Sequence, residues 1–151
     1  MSITASGAYS KTYEKMFIDT AAASLESETV VKGLLVLDAY TPDFDVHDFR
    51  DDVTNEASGT GYSTGGVVLT TTDITLAAPA AGSMKYDHDD PSWSGSTIPN
   101  AMALVEYFLV GSAGTDMLLH LLDFVTAVST TSGLLLVQLA ADGVWNLDHV
   151  A

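Results

Sequence analysis

The chain has 151 residues, 47% of them hydrophobic, and carries 20 Asp and Glu against 5 Lys and Arg, so its formal net charge is −15. A chain of this length and hydrophobicity is expected to fold as one domain with one substantial core and not to remain disordered. Its acidic surface repels phosphate backbones and anionic lipid headgroups, which argues against nucleic-acid and membrane partners. The absence of cysteine excludes a disulfide scaffold, a thiolate metal site and a cysteine nucleophile.

The N-terminal residues have the composition of a short arm followed by a helix. Residues 1–10 are small and mostly polar, which predicts a terminal arm, and residues 11–151 then form a single β-rich domain. No basic stretch is followed by an apolar one here, so we expect a soluble protein made without a secretion signal. Apolar side chains recur every three or four residues in 11–25, which predicts one amphipathic helix.

The next two segments differ sharply in polarity. Residues 30–40 are an almost continuous apolar run, which predicts a strand buried on both faces. Residues 41–53 are rich in aspartate but carry Phe44, Val46 and Phe49 at intervals. This interleaving predicts a short helical turn or an ordered loop.

Residues 56–69, E-A-S-G-T-G-Y-S-T-G-G-V-V-L, contain the densest group of glycines in the chain. Gly59, Gly61, Gly65 and Gly66 surround one aromatic residue, Tyr62. Glycine is needed where the backbone adopts a positive φ or closely approaches another backbone. The sequence therefore predicts a structural corner, in which a strand ends, the chain turns tightly and the next strand begins.

Short apolar segments alternate with turn signals in the remainder of the chain. Strands are predicted at 66–76, with a turn near 72–73, and at 84–86, 101–110, 116–124, 134–139 and 144–147, the last closing the sheet. By periodicity alone 101–110 and 116–124 fit a helix or a strand, and the turn signals beside them favour the two arms of a hairpin. A loop is predicted at 77–83, and a turn with Gly143 at positive φ at 141–143. Strands every 8 to 12 residues or so are typical of an antiparallel β-sandwich or a barrel-like domain.

Two aspartate-rich segments, residues 43–52 and 87–90, could supply oxygen ligands to a divalent cation. The first lacks the order of ligands of an EF-hand loop, and the second has no glycine to wrap an ion. Solvated acidic loops are therefore the favoured interpretation, and no metal site is assigned.

No catalytic motif is present in the sequence. None of the serines lies in G-x-S-x-G, and the four histidines, His47, His88, His120 and His149, show no zinc-protease spacing. The G-T-G-Y-S-T-G-G stretch matches neither a dinucleotide-binding nor a phosphate-binding loop. His120 lies in an apolar run, as hydrogen-bonded core or interface histidines do. We predict a non-enzymatic protein without a cofactor, with a hydrolase as the least favoured alternative.

The aromatic residues are interpreted mainly as packing residues. Trp93 and Phe124 are predicted core anchors, and Tyr62 is predicted to anchor the corner. A binding platform for a glycan is the alternative interpretation for Tyr62 and Trp93.

Six segments of the chain together carry a resemblance. They are L-D-A-Y-T-P-D (37–43), H-D-F (47–49), the glycine-rich 56–69, D-x-x-W-S-x-S-T-I (90–98), L-L-D-F (121–124) and L-A-A-D-G-V-W-N-L (139–147). The set is similar to a family of small virion structural proteins of tailed bacteriophages and related tailed viruses. The resemblance covers most of 12–148, and G-T-G-Y-x-x-G-G with the later Asp/Trp segment is its most specific part. Residues 100–110 and those after Phe124 depart from the family pattern.

The resemblance implies a virion component. We predict a capsid decoration or cementing subunit on the virus head, located in the virion, homotrimeric and in contact with other virion proteins, above all the major capsid protein. A tail, collar or fibre-adjacent subunit and a glycan- or receptor-binding module are the alternatives. The acidic composition also suits a host that lives in high salt.

Overall fold

The computed structural model describes residues 3–18, 30–70, 73–76 and 84–147. Within these residues the chain forms one α-helix, α1 Ser10–Ile18, and ten strands, which all pair antiparallel. The strands are β1 Gly7–Ala8, β2 Val31–Leu37, β3 Val67–Val68, β4 Asp73–Leu76, β5 Met84–Asp87, β6 Ser92–Ser96, β7 Ala101–Phe108, β8 Leu118–Val128, β9 Gly133–Leu136 and β10 Trp145–Leu147. The predicted mainly β, sandwich-like architecture with an N-terminal helix is confirmed.

A five-stranded sheet in the order β1-β8-β7-β2-β3 forms the centre of the domain. All eight residues of β7 are buried. The near-continuous apolar runs of β2 and β7 fit this position, because both faces of these strands are covered and neither needs alternating polar residues. The predicted strands at 30–40, 101–110 and 116–124 correspond to β2, β7 and β8.

The two faces of the central sheet pack against different parts of the chain. On one face, the apolar side chains of β2, β7 and β8 pack with the N-terminal segment and with residues 40–53. On the other face, Leu35 and Leu104 pack with Trp93 of β6, and Phe108 packs with Tyr86 of β5. That second layer consists of a two-stranded sheet, β6-β9, and a three-stranded sheet, β10-β5-β4.

The prediction that residues 1–10 form an arm is wrong for the residues that the structure describes. Ile3 and Tyr9 are buried members of the first core cluster, and β1 pairs with β8 through Gly7 and Ala8. The Tyr9 hydroxyl lies 3.0 Å from the Tyr40 hydroxyl. Two apolar side chains among small polar residues are enough to fix this segment to the core.

Other element boundaries also differ from the sequence predictions. Helix α1 covers part of the predicted 11–25, and residues 19–25 and the predicted loop 77–83 lie outside the described residues. The segment 66–76 contains two separate strands, β3 and β4, and 71–72 lie outside the described residues. Strand β10 pairs with β5 and so does not close the central sheet. Residues 41–53 form turns and a short 3₁₀ helix, Arg50–Asp52, as predicted.

Candidate functional site

The glycine corner, 56–69, contains β3 but follows turns and the 3₁₀ helix of 38–55, so the next strand begins here as predicted, whereas the strand that was predicted to end here is replaced by an isolated bridge between Val36 and Glu56. Gly59, Gly61, Gly65 and Gly66 have φ values of 151°, 75°, 84° and 67°, the positive range that the sequence predicted. A Cβ on Gly66 would overlap the carbonyl oxygen of Gly33 in β2. The side chain of any other residue at position 66 would therefore force β2 and β3 apart.

Tyr62 lies at the centre of the corner. Its hydroxyl accepts a hydrogen bond from Leu35 N at 3.0 Å and donates one to Glu56 Oε1 at 2.8 Å. The same carboxylate oxygen accepts from Gly65 N at 2.6 Å. Burial, followed by the nearby Glu56 carboxylate, raises the pKa of Tyr62, although the Leu35 amide opposes the shift. The corner is thus held by partly buried hydrogen bonds, and the tyrosine stays protonated.

The two predicted core anchors lie in the second core cluster. Trp93 is 3% exposed and stacks on Tyr62, with ring centroids 6.1 Å apart. Phe124 is partly buried and packs against the same cluster. Trp93 is buried, so its ring is not available to stack on a sugar, whereas Tyr62 is partly buried and has Trp93 against its ring.

Neither aspartate-rich segment brings together a metal-ligand group. Within the described ranges, no group of three or more His, Asp or Glu side chains could hold a metal ion. Asp43 Oδ1 accepts from Asp45 N and Val46 N, and Asp52 Oδ2 accepts from Asp48 N and Phe49 N. These carboxylates order the loop by bonding to its backbone.

A carboxylate buried between two histidines lies in the middle of the central sheet. Glu106 of β7 is 0% exposed, and its two oxygens lie 2.9 Å from His88 Nε2 and 3.2 Å from His120 Nδ1. His120 Nε2 is hydrogen-bonded to the hydroxyl of Tyr13 from α1. The ring of Tyr86 packs against both imidazoles. We refer to Tyr13, His88, Glu106 and His120 as the buried array.

The partners of His88 indicate its protonation state. Its Nδ1 faces the backbone carbonyl of Asp89 at 2.8 Å, and its Nε2 faces Glu106, so both nitrogens need a proton to donate. Burial would lower the pKa of His88, but the hydrogen bond and charge of Glu106 outweigh it and raise that pKa. Burial would raise the pKa of Glu106, yet the hydrogen bonds from His120 and His88 lower it. An imidazolium and a carboxylate are thus paired inside the protein.

His120 has a different set of partners. Its Nδ1 lies 3.2 Å from the Glu106 carboxylate and its Nε2 is hydrogen-bonded to the Tyr13 hydroxyl, a set of partners that the Nδ1–H tautomer satisfies by donating to Glu106 and accepting from Tyr13. Tyrosine, histidine and glutamate thereby lie in the spatial order nucleophile, base and orienting group that many enzymes use. Burial and the Glu106 charge raise the pKa of Tyr13, so its phenol stays protonated and is a poor nucleophile. The arrangement is suited to hydrogen bonding more than to covalent chemistry.

One end of the buried array borders a pocket. The pocket has a volume of about 460 Å³ and lies between α1, β1, β8 and β10. Its walls are mainly apolar and include Phe17, Leu122 and Val144, whereas Tyr13 and His120 supply polar atoms. The pocket volume lies within the range typical of small-molecule sites, ~300–1,000 Å³.

The sequence did not reveal this array. Its interpretation of His120 as a hydrogen-bonded core histidine agrees with the structure, but Tyr13 was assigned only to an apolar helix face. Tyr13 and His120 are 107 positions apart, and His88 and Glu106 are 18 apart. The one available signal was Glu106, the single charge inside an apolar run, because a buried charge requires partners.

Exposed apolar side chains lie on β8 and on β9, two strands that belong to different sheets. Between the pairs Ala103–Asp123 and Ala101–Val128, one residue of β7 faces four residues of β8, so β8 bulges outward. Val125, in this bulge, has a φ of 65° and is 80% exposed. A β-branched residue at positive φ is a conformational outlier. We call Val125, Val128, Leu134 and Leu136 the apolar patch, since all four are exposed large hydrophobic residues.

The described part of the chain contains no helix long and apolar enough to span a membrane. Comparisons with protein-family models, curated proteins and solved structures gave no match.

Proposed function

We propose that this protein is a non-enzymatic structural subunit of a virus particle, a decoration or cementing subunit that binds the major capsid protein on the head. The apolar patch is the observation that carries the proposal. Leu134 and Leu136 point outward from β9, and Val125 is held out of β8 in a strained conformation. Exposed apolar side chains in a small acidic domain favour an interface with another protein.

The strand edges beside the patch support the same function. In the described residues, β9 pairs only with β6, and β1 covers β8 only at His120 and Leu121. Apart from Val125 N, which donates to Asp123 Oδ1, the edge of β8 beyond Asp123 is therefore available for main-chain hydrogen bonds to a partner strand. Strand addition combined with apolar contacts, repeated over many copies, gives strong attachment through avidity.

The charge of the chain suits an outer position on a crowded particle. A net charge of −15 keeps neighbouring copies soluble and discourages contacts other than those at the apolar patch. A homotrimer would match the local three-fold axes of a head lattice.

The decisive measurement is the copy number of the chain in purified particles of the virus that encodes it. Quantitative mass spectrometry should find hundreds of copies, and cryo-EM should place them on the outer surface of the head. A dozen copies or fewer would support the alternative tail, collar or fibre-adjacent position. Absence of the chain from particles would overturn the proposal.

A binding assay tests the role of the apolar patch itself. The double variant Val125→Asp, Leu134→Asp should fold, because both side chains are exposed, but should no longer co-sediment with heads that lack the protein. Val46→Asp is the matched control, since Val46 is an exposed valine in a different loop. If the double variant binds as well as the control, the patch is not the interface.

A further inference from the structure

We propose that the apolar patch binds an extended strand of its partner protein, in which apolar side chains alternate with polar ones and are flanked by lysine or arginine. This partner rests on the interface role proposed above for the same patch, and its chemistry is the new element. It follows from the alternating side chains of β9, from the edge of that strand and from the charges at both ends of the patch.

Strand β9 presents a row of leucine side chains to solvent. Leu134 and Leu136 are 59% and 47% exposed, whereas Leu135 between them is buried in the second core cluster. Successive side chains of a strand point to opposite faces, so the two exposed leucines lie on the outer face of the β6-β9 sheet, two positions apart. A partner strand with the same period places an apolar side chain beside each of them.

The main chain of β9 has an edge for such a strand. In the described residues β9 pairs with β6 and with no other strand, with Leu135 opposite Trp93 and Leu136 opposite Ser92. When a strand is added to the edge of a sheet, the backbone N–H and C=O groups on that side pair with it. An extended segment beside β9 therefore gains backbone hydrogen bonds together with apolar contacts to the leucines.

The charges around the patch select a basic partner. Asp123 is the only charged residue in 123–139, the segment that contains all four residues of the patch. At the other end of this segment, the exposed Asp90 accepts from Leu139 N at 2.8 Å through Oδ1. All five Lys and Arg residues lie at or before Lys85, so β6, β7, β8 and β9 contain carboxylates but no lysine or arginine. A carboxylate at each end of an apolar segment attracts lysine or arginine and repels acidic segments.

The same charges argue against a second copy of the chain as the occupant. A symmetric contact between two patches would bring their carboxylates together, and neither patch has a lysine or arginine within its own strands. Each copy also carries a net charge of −15. A different protein with basic residues beside an apolar strand therefore fits this surface better.

Three peptides, acetylated and amidated at their ends, test for the basic partner: K-T-V-T-V-T-K, Q-T-V-T-V-T-Q and E-T-V-T-V-T-E. Each carries valines two positions apart and reads the same in both directions, so the peptides differ only at their terminal residues. Binding to the full chain is measured through the backbone amides of β9 in ¹H–¹⁵N NMR spectra. We expect the lysine peptide to shift these amides saturably, to slow their hydrogen exchange, and to bind about tenfold more tightly than the glutamate peptide in ~0.05 M NaCl. The difference should shrink in ~0.5 M NaCl, because salt screens exposed charges.

Matched variants locate the binding surface. Leu136→Ser should weaken the binding of all three peptides, whereas Leu109→Ser, at an exposed leucine outside the patch, should not. Asp90→Asn keeps the oxygen that accepts from Leu139 N and should reduce the preference for the lysine peptide over the glutamate peptide several-fold. Asp38→Asn, at an exposed aspartate just after β2, should leave that preference unchanged.

Equal binding of the lysine and glutamate peptides, no saturable shift, or unchanged binding by both Leu136→Ser and Asp90→Asn would overturn the proposal. Shifts of the β9 amides with protein concentration alone would identify a second copy as the occupant and would overturn it as well. The peptides stand in for the partner, so these outcomes do not depend on virus particles. A chain that binds the lysine peptide but is absent from particles would contradict only the virion role.

Discussion

Two carboxylates, one within the central sheet and one near its surface, are both inaccessible to solvent but are neutralised in different ways. Asp116, just before β8, accepts from Arg50 Nε at 2.9 Å, Val110 N at 2.8 Å and Gly111 N at 3.0 Å. Glu106, within β7, is held by two histidines. The partners of Asp116 keep their protons throughout the physiological pH range, whereas Glu106 is paired with His88, whose pKa is raised because the hydrogen bond and charge of Glu106 outweigh the effect of burial. The same burial of charge thus gives one permanent site and one that responds to pH.

The largest decrease in the free energy of unfolding is expected when either carboxylate is removed. Glu106→Ala leaves the His88 imidazolium buried without its counter-ion, and Asp116→Ala leaves two backbone amides and Arg50 without their acceptor. We expect each to lower the free energy of unfolding by ~3–5 kcal/mol. Urea unfolding at pH 6 measures this, with the exposed Glu14→Ala as control. A loss below ~1 kcal/mol in either variant would show that the buried partners tolerate the removal of that carboxylate.

The pH dependence separates the two sites most clearly. The pKa of His88 is raised above 6.5, so its stabilising contribution is complete below pH 6.5 and is lost as the pH rises through the folded-state pKa. The pKa of Glu106 is lowered from 4.5, so its contribution is present above pH 4.5 and is lost as the pH falls through its folded-state value. The buried array is therefore expected to stabilise most between these two pH values.

The corresponding measurement is chemical unfolding between pH 6 and pH 9. The wild type should lose stability by at most ~1.4 kcal/mol per pH unit over the titration of His88. His88→Gln should be less stable at pH 6 and should show a flatter profile. The Asp116 site contributes no slope of stability against pH in this range. Burial would raise the pKa of Asp116, but its hydrogen bonds from two amides and Arg50 outweigh burial and lower that pKa from 3.8. Parallel profiles for wild type and His88→Gln would refute the imidazolium assignment.

A smaller effect is expected at the outer end of the buried array. Tyr13→Phe removes the hydrogen bond to His120 Nε2 while it keeps the ring against β8, so the cost should be ~1 kcal/mol. Thermal unfolding at pH 6 measures it. Tyr107→Phe is the comparison, since its hydroxyl donates to a backbone carbonyl, Gly65 O, at 2.7 Å.

The smallest effect is expected from a conservative change at the permanent site. Arg50→Lys keeps the charge opposite Asp116 but loses the planar guanidinium over the Tyr107 ring, 5.3 Å from its centroid. We expect a loss of ~0.5–1 kcal/mol in urea unfolding and no new slope between pH 6 and pH 9. A pH-dependent loss would mean that this site also relies on a titrating group.

The features that the sequence predicted correctly are those encoded by neighbouring residues. The glycines of 59–66 indicate positive φ, and the apolar runs at 30–40 and 101–110 indicate buried strands. The sequence predicts an arm that includes Ile3 and Tyr9, because two apolar residues among small polar ones show no helical or strand periodicity. The buried array joins Tyr13, His88 and Glu106 through register and helix packing, and no local pattern encodes these.

The bulge in β8 has a consequence for variation in length. Pairing with β7 is fixed on one side by Asp123 opposite Ala103 and on the other by Val128 opposite Ala101. Phe124 packs against the second core cluster, but the exposed residues 125–127 between these anchors can be inserted or deleted without shifting either register, which would otherwise turn buried side chains outward. We therefore expect related chains with different partners to differ in length at this bulge. Their exposed surface would then change while the buried residues of β7 and β8 stay in place.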